Sequence, residues 1–247
     1  MARTHTTSRN IRAFTVELAL DVASLVWPVT CIGCARANRE LCTPCRRAFR
    51  DSHAPITMIP AHNPHGIWVA GGPYEGMRRD LIVAFKHGRF IFRNELALAF
   101  APALAEAIDH ARTLGEPHPP ILVPAPSRRR AVQERGFRPV EEVARRALAE
   151  LRKTRFPHVE LRLVRALHAT AGRTSQHGLR GHERISNASK VRVAQRHRRV
   201  IRERAVILID DVMTTGATLA EAERVLTEAG ANVLGTCTIA AVKKLWE

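Results

Sequence analysis

The sequence predicts an α/β fold: a parallel-rich sheet with helices on both faces and a ligand site at the carboxyl ends of the strands. Three observations predict it. The first is AVILIDDVMTTGAT at 205–218, where the apolar run Val206 to Ile209 enters two adjacent acids, Asp210 and Asp211. A hydroxyl-rich turn with one glycine follows, and then the helical pattern LAEAERVLTEAG, which together read as strand, loop and helix. The second is ILVPAPSRRR, a short buried strand from Ile121 to Val123 with Pro124 and Pro126 stiffening the turn behind it. The third is the alternation of such runs with amphipathic stretches from Tyr74 to Val242.

The loop after Ile209 has the chemistry of an anion cradle. The first helical turn leaves backbone N–H groups free, and the helix dipole favours negative charge there. Thr214, Thr215 and Thr218 add hydroxyl donors around Ala217, and Gly216 lets the backbone approach closely. Two carboxylates beside a phosphate pocket are costly unless they meet hydroxyls or a metal. A ribose 5-phosphate meets the requirement, with its phosphate on the loop and its 2- and 3-hydroxyls donating to Asp210 and Asp211. The stretch resembles the binding signature of type I phosphoribosyltransferases, which recognise 5-phosphoribosyl 1-pyrophosphate (PRPP). That resemblance implies a site for PRPP or a nucleoside 5-monophosphate, with Mg²⁺ on the diphosphate.

Composition bounds the rest. A chain of 247 residues, 45% hydrophobic, buries a real core, and one main domain with an appendage is expected. The net charge of +16, carried mainly by arginine, points to polyanions: phosphates, nucleic acid or an anionic membrane surface. Only 5% of residues are aromatic, so base-stacking platforms are few. No stretch has the uninterrupted apolar length of a membrane span.

Taken in order, residues 1–10 are polar and read as a disordered tail. Ile11 to Trp27 reads as a helix with one wet edge at Glu17, Asp21 and Ser24. Its acids, and the lack of a small-residue cleavage site, argue against a signal peptide and for the cytoplasm. CIGCARANRELCTPC then places Cys31, Cys34, Cys42 and Cys45 in two CxxC knuckles, with Gly33 read as permitting the first tight turn. Four thiolates converging in a reducing compartment suit a structural zinc ion, which they would close off from substrate. Two disulfides or an iron–sulfur cluster would use the same residues. Cys237 reads as inert core. The helix, cysteine module and linker are assigned to 11–60, and the main domain to 66–247. Residues 51–66 read as linker because of their prolines and histidines.

Within the main domain, helices are expected from Tyr74, over Arg93 to His110, over 140–152 and over 219–229. Strands are expected at Leu161 to Val164, Lys190 to Ala194 and Asn232 to Val242. The basic run between Arg196 and Arg204 reads as a solvated face. The segment RALHATAGRTSQHGLRGHERISN lacks apolar periodicity and is long for a loop in a compact domain, so it reads either as a functional loop or as a disordered basic insertion.

The ordered set of cysteine module, YEGMRRDLI…FKHGR, VPAPSRRR…RGF, polar loop and acid-threonine stretch is similar to the ComF family, the competence-associated ComF and GntX-like proteins. Arg138-Pro139 stands where that family has Asn-Gln. The resemblance implies a pyrophosphate loop at Ser127, Arg128 and Arg129. It implies a flexible lid with Arg173, Gln176 and Arg184, within a pattern that also takes in Thr174, Leu179, Glu183 and Asn187. It further implies phosphoribosyl transfer and a part in DNA uptake and natural competence, alongside other competence proteins. A non-catalytic module that binds single-stranded DNA, or senses PRPP or nucleotide, fits the same residues. No residue stands out as general base for an incoming nucleobase.

Overall fold

The apolar runs become the strands of one six-stranded sheet in the computed structural model, which describes residues 29–127, 129–170 and 190–245. The expected tail and helix over 1–27, Arg128, and the lid residues Arg173, Gln176 and Arg184 lie outside the described residues. The chain divides into two compact units, one ending at Asp51 and one beginning at Ser52.

The first unit is a pair of backbone turns leading into helix α1 (Thr43–Asp51). An isolated bridge between Thr30 and Ala37 holds the turns together, with Cys31 N–H donating to Arg36 O at 2.8 Å and Ile32 N–H to Glu40 O at 3.0 Å. The left-handed residue of the first knuckle is Ala35 (φ 58°), and Asn38 follows at φ 67°; Gly33 does not take that role. Ala35 N–H donates back to Cys31 O at 2.8 Å, and closing this ring rotates Ala35 itself to positive φ.

The second unit carries strands β1 (Ile56–Met58), β2 (Ile67–Ala70), β3 (Ile121–Pro124), β4 (Arg162–Leu163), β5 (Leu167–Thr170), β6 (Lys190–Val193), β7 (Ala205–Met213) and β8 (Asn232–Ala241). Its helices are α2 (Gly76–Lys86), α3 (Arg93–Thr113), α4 (Arg129–Arg135), α5 (Pro139–Thr154), α6 (Arg198–Ile201) and α7 (Ala217–Glu228). The sheet order is β1-β2-β8-β7-β3-β4, parallel throughout except for β1 at the edge. β5 and β6 pair separately as an antiparallel ribbon.

Burial explains the layering. Val206, Ile207, Leu208 and Ile209 have no solvent exposure, as a strand covered on both faces requires. Side chains alternate, so Val206 and Leu208 join Leu219, Ala222 and Leu226 of α7 in one cluster. The opposite face is covered by α3, which packs on β8 and β2 and against α5. In α3, Leu96, Phe100, Leu104 and Ile108 recur every fourth residue and are all buried. Alanines between them let the helix lie close to the sheet. The fold is an α/β parallel sheet flanked by helices, as expected.

Four local differences matter. β7 runs on through Asp210 and Asp211 to Met213, because β8 continues beside it to Ala241 and keeps the ladder paired. The two acids are therefore strand residues rather than loop residues. The stretch read as linker contains β1, whose register Ile56↔Ala70 to Met58↔Trp68 adds an edge strand. Arg129 and Arg130 lie in α4 instead of an open loop. The segment read as a structureless lid is entered and left through β5 and β6, with Leu167 opposite Val193.

Candidate functional site

The site grows from the carboxyl end of β7. Strand alternation sends the side chains of Asp210 and Asp211 to opposite faces. Asp211 meets α2, where Lys86 Nζ lies 2.8 Å from its Oδ2. Asp210 accepts a hydrogen bond at Oδ1 from the backbone N–H of Asp211, 2.8 Å away. Burial pushes the Asp210 carboxyl up to about 7, the Asp211 charge adds to it, and the N–H bond and Lys86 only partly offset both. The Oγ1 of Thr238, paired with Asp210 on β8, is buried without a hydrogen-bond partner among the described residues.

The turn after β7 exposes Thr214 and Thr215 and opens α7 at Ala217. Gly216 is the cap residue, left-handed at φ 72°. Thr215 Oγ1 accepts from Ala217 N–H at 3.4 Å, and no side chain caps the helix, so its first turn keeps N–H groups facing outward. Thr218 is exposed on that turn. Gly216 is buried on its other side, where a Cβ would sit 2.7 Å from Cη2 and Cζ3 of Trp68. The sequence links this glycine to close approach by an anion; the structure adds that an indole ring supports it from below.

A second concave surface adjoins the first. Ala125 N–H donates to Ile209 O at 2.7 Å, which seats the Pro-Ala-Pro turn beside the end of β7. A cavity of about 370 Å³ opens beyond it, lined by Ser127, Arg129, Arg138, Arg165, His168 and Arg196 among others. Of the residues expected there, Ser127 and Arg129 line it; the neighbouring Arg130 is exposed and paired with Glu134 at 2.7 Å. Arg138 and Arg165 converge because Glu141, only 2% exposed, draws them in. Its carboxylate holds Arg165 at 2.7 Å, Arg145 at 2.9 Å and Arg138 at 3.5 Å. Four arginines against one acid leave this cavity strongly cationic.

Sequence reasoning missed Lys86 as the partner of Asp211, and it missed Arg165, His168 and Arg196 as cavity residues. Glu141 carried a readable signal. It sits on the inward face of a helix whose other buried positions are Pro139, Val140, Val143, Ala144, Ala147, Leu148 and Leu151.

The four cysteines form the other centre. All four sulfurs lie within 4.8 Å of one another, and Cys34 Sγ is 3.7 Å from Cys42 Sγ. A tetrahedral ion with Zn–S bonds of about 2.3 Å sets its sulfurs about 3.8 Å apart, so this spacing fits one ion. No pair is joined as a disulfide. Burial opposes ionisation of Cys31, but N–H bonds from Cys42, Gly33 and Cys34 outweigh it and bring the thiol down to about 6. The sulfur of Cys42, burial and the other two sulfurs push Cys45 up to about 12. Cys237, by contrast, is fully buried in β8, and burial raises its thiol far above the ordinary range.

No helix among the described residues is long and apolar enough to cross a membrane. Residues 131–247 match the family model for the phosphoribosyl transferase domain. The matched span runs from within α4 past β8, and so contains the acid pair, the threonine turn and the expected lid. No curated protein matches the chain.

Proposed function

From the phosphoribosyltransferase-type domain over residues 131–247, we propose that the chain binds PRPP in the manner of the ComF family. The observation that carries this is the junction of two surfaces of opposite preference. At one, Asp210 and Asp211 stand at a strand end beside a helix N-terminus; at the other, Arg129, Arg138, Arg165 and Arg196 line a cavity. A ribose 5-phosphate places its hydroxyls on the acids and its phosphate on Thr214, Thr215, Gly216, Ala217 and Thr218. The diphosphate then falls toward Ser127, Arg128 and Arg129, and Arg173, Gln176 and Arg184 close over it.

In a transfer, C1 of the ribose gains positive charge as diphosphate departs and a nucleophile arrives from the opposite face. The arginines stabilise the leaving group electrostatically. Mg²⁺ would bind the diphosphate and neutralise its charge, while Asp210 and Asp211 hold the ribose hydroxyls. Zinc is the ion assigned to Cys31, Cys34, Cys42 and Cys45, with a structural role in a cytoplasmic, reducing setting. The ComF resemblance supports a place in DNA uptake and competence.

The test is calorimetric. Asp210→Asn combined with Asp211→Asn is expected to abolish PRPP binding while the protein stays folded, and unchanged affinity would reject the assignment. Turnover of PRPP against a panel of bases then decides whether the site is catalytic.

One observation favours a second reading. Arg198, Arg199 and Arg202 line a separate concavity of about 320 Å³ at α6, remote in sequence from the Pro-Ala-Pro turn. Single-stranded DNA would follow such a surface by phosphate contacts.

A further inference from the structure

Glu223 is a carboxylate in an unusual place. It lies on the sheet-facing side of α7 among Leu219, Ala222, Val225 and Leu226, and is 4% exposed. A buried charge there is costly unless donors surround it. Three do, from three separate segments. His62, in the β1–β2 connection, brings Nε2 to 2.6 Å from Oε2. Trp68 of β2 donates its indole N–H to Oε1 at 2.6 Å. Thr236 of β8, in register with Trp68, donates its hydroxyl to the same oxygen. His62 also meets the Trp68 ring edge-on, with centroids 5.5 Å apart.

The other edge of that indole is the one that touches the phosphate turn. A Cβ on Gly216 would lie 2.7 Å from Cη2 and Cζ3, so the turn rests directly on the ring. Glu223 is seven residues beyond Gly216, two helical turns along the same face. The helix is therefore pinned two turns below its N-terminus by the same side chain that supports the N-terminus itself.

We propose that Glu223 and Trp68 are positioning residues for the phosphate turn. Together they set the height and rotation of the N–H groups at Gly216–Leu219 relative to Asp210 and Asp211. Neither touches the ligand. Because ribose and phosphate are joined covalently, a turn displaced by a few tenths of an ångström cannot serve both ends at once. This inference rests on the ribose 5-phosphate reading of the site.

Two measurements on the full chain test it. Amide hydrogen exchange over residues 220–223 of the ligand-free protein, beginning with Ala220 N–H bonded to Gly216 O at 2.8 Å, reads how firmly the start of the helix is held. Glu223→Gln and Trp68→Phe are each expected to speed exchange there at least fivefold while the strands keep their protection. Calorimetry then compares ribose 5-phosphate with inorganic pyrophosphate. Both variants are expected to weaken the sugar phosphate about tenfold and leave pyrophosphate within twofold.

Wild-type exchange and wild-type sugar-phosphate affinity in the folded variants overturn the proposal. Equal loss for both ligands overturns it too, because that is general destabilisation. If Glu223→Gln does not fold, Trp68→Phe decides alone, since it removes the ring edge beneath Gly216. A wild-type protein that binds no ribose 5-phosphate defeats the site assignment instead, and the exchange result then judges the brace by itself.

Discussion

Asp210 is the residue whose protonation carries information at the scale of one side chain. Its ordinary value is 3.8, and burial with the neighbouring Asp211 charge raises it to about 7 in the folded chain. The folded protein therefore holds more protons than the unfolded one between about pH 4 and pH 7, and stability falls as pH rises through that window. Asp210→Asn removes the effect. Thermal melts of the variant and wild type are expected to coincide near pH 3.5, diverge in favour of the variant toward pH 7, and run parallel above about pH 8. A difference that stays flat with pH would show that the group is not held this way. Gly216→Ala is the second prediction at this scale. Positive φ costs a non-glycine residue about 1–2 kcal/mol, and the added methyl meets Trp68, so urea unfolding is expected to show a loss of at least that size.

At the scale of elements, α5 carries more than packing. Its acid Glu141 holds Arg165 from the segment between β4 and β5, along with Arg138 at its own N-terminus. Two of the four arginines that line the cavity are thus held by one buried carboxylate. Glu141→Gln keeps the volume and removes the charge, and is expected to destabilise by about 1.5–3 kcal/mol, the worth of a charged hydrogen bond. Pyrophosphate affinity should drop with it, because Arg138 and Arg165 lose the group that aims them. Calorimetric binding at wild-type strength in a folded variant would show that the arginines are placed by something else. The short β4 and the β5–β6 ribbon also belong to this scale. Thr170 and Lys190 are paired in that ribbon, and Leu167, His168 and Ala169 of β5 line the cavity.

At the scale of the whole molecule, the division at Asp51/Ser52 separates a metal-type centre from a ligand-type site. Bound structural zinc contributes about 10–16 kcal/mol of apparent free energy in small finger peptides, which would be folding energy for a unit whose described residues bury Cys31, Leu41, Cys42 and Phe49. Cys42→Ser is expected to lose the metal, by elemental analysis, and to raise protease sensitivity before Asp51. PRPP affinity should survive largely intact. Iron with sulfide in place of zinc would overturn the metal assignment. The charge of +16 is also a property of the whole chain. If α6 carries DNA, replacing Arg198, Arg199 and Arg202 with Ala should flatten the log–log salt dependence of single-strand binding by about 0.7 for each phosphate left without its arginine. Replacing Arg129 and Arg138 should leave that slope alone.

Local order in the sequence determined much of this protein. A short β-branched apolar run bounded by turn signals favours a covered strand, a glycine between threonines and a helical period favours a turn, and two CxxC pairs favour converging sulfurs. Those features rest on periodicity, φ range and ligand spacing, which neighbours along the chain settle among themselves. Tertiary structure alone decided the rest, because it depends on residues far apart in sequence. It set where β7 ends, since β8 supplies its pairing partners as far as Ala241. It joined Lys86 to Asp211 across 125 positions of chain, and Trp68 to Gly216 across 148. It also brought Arg129, Arg138, Arg165 and Arg196 to the lining of one cavity. A charge or a ring announces its chemistry in one dimension, but only packing selects the partner that chemistry acts on.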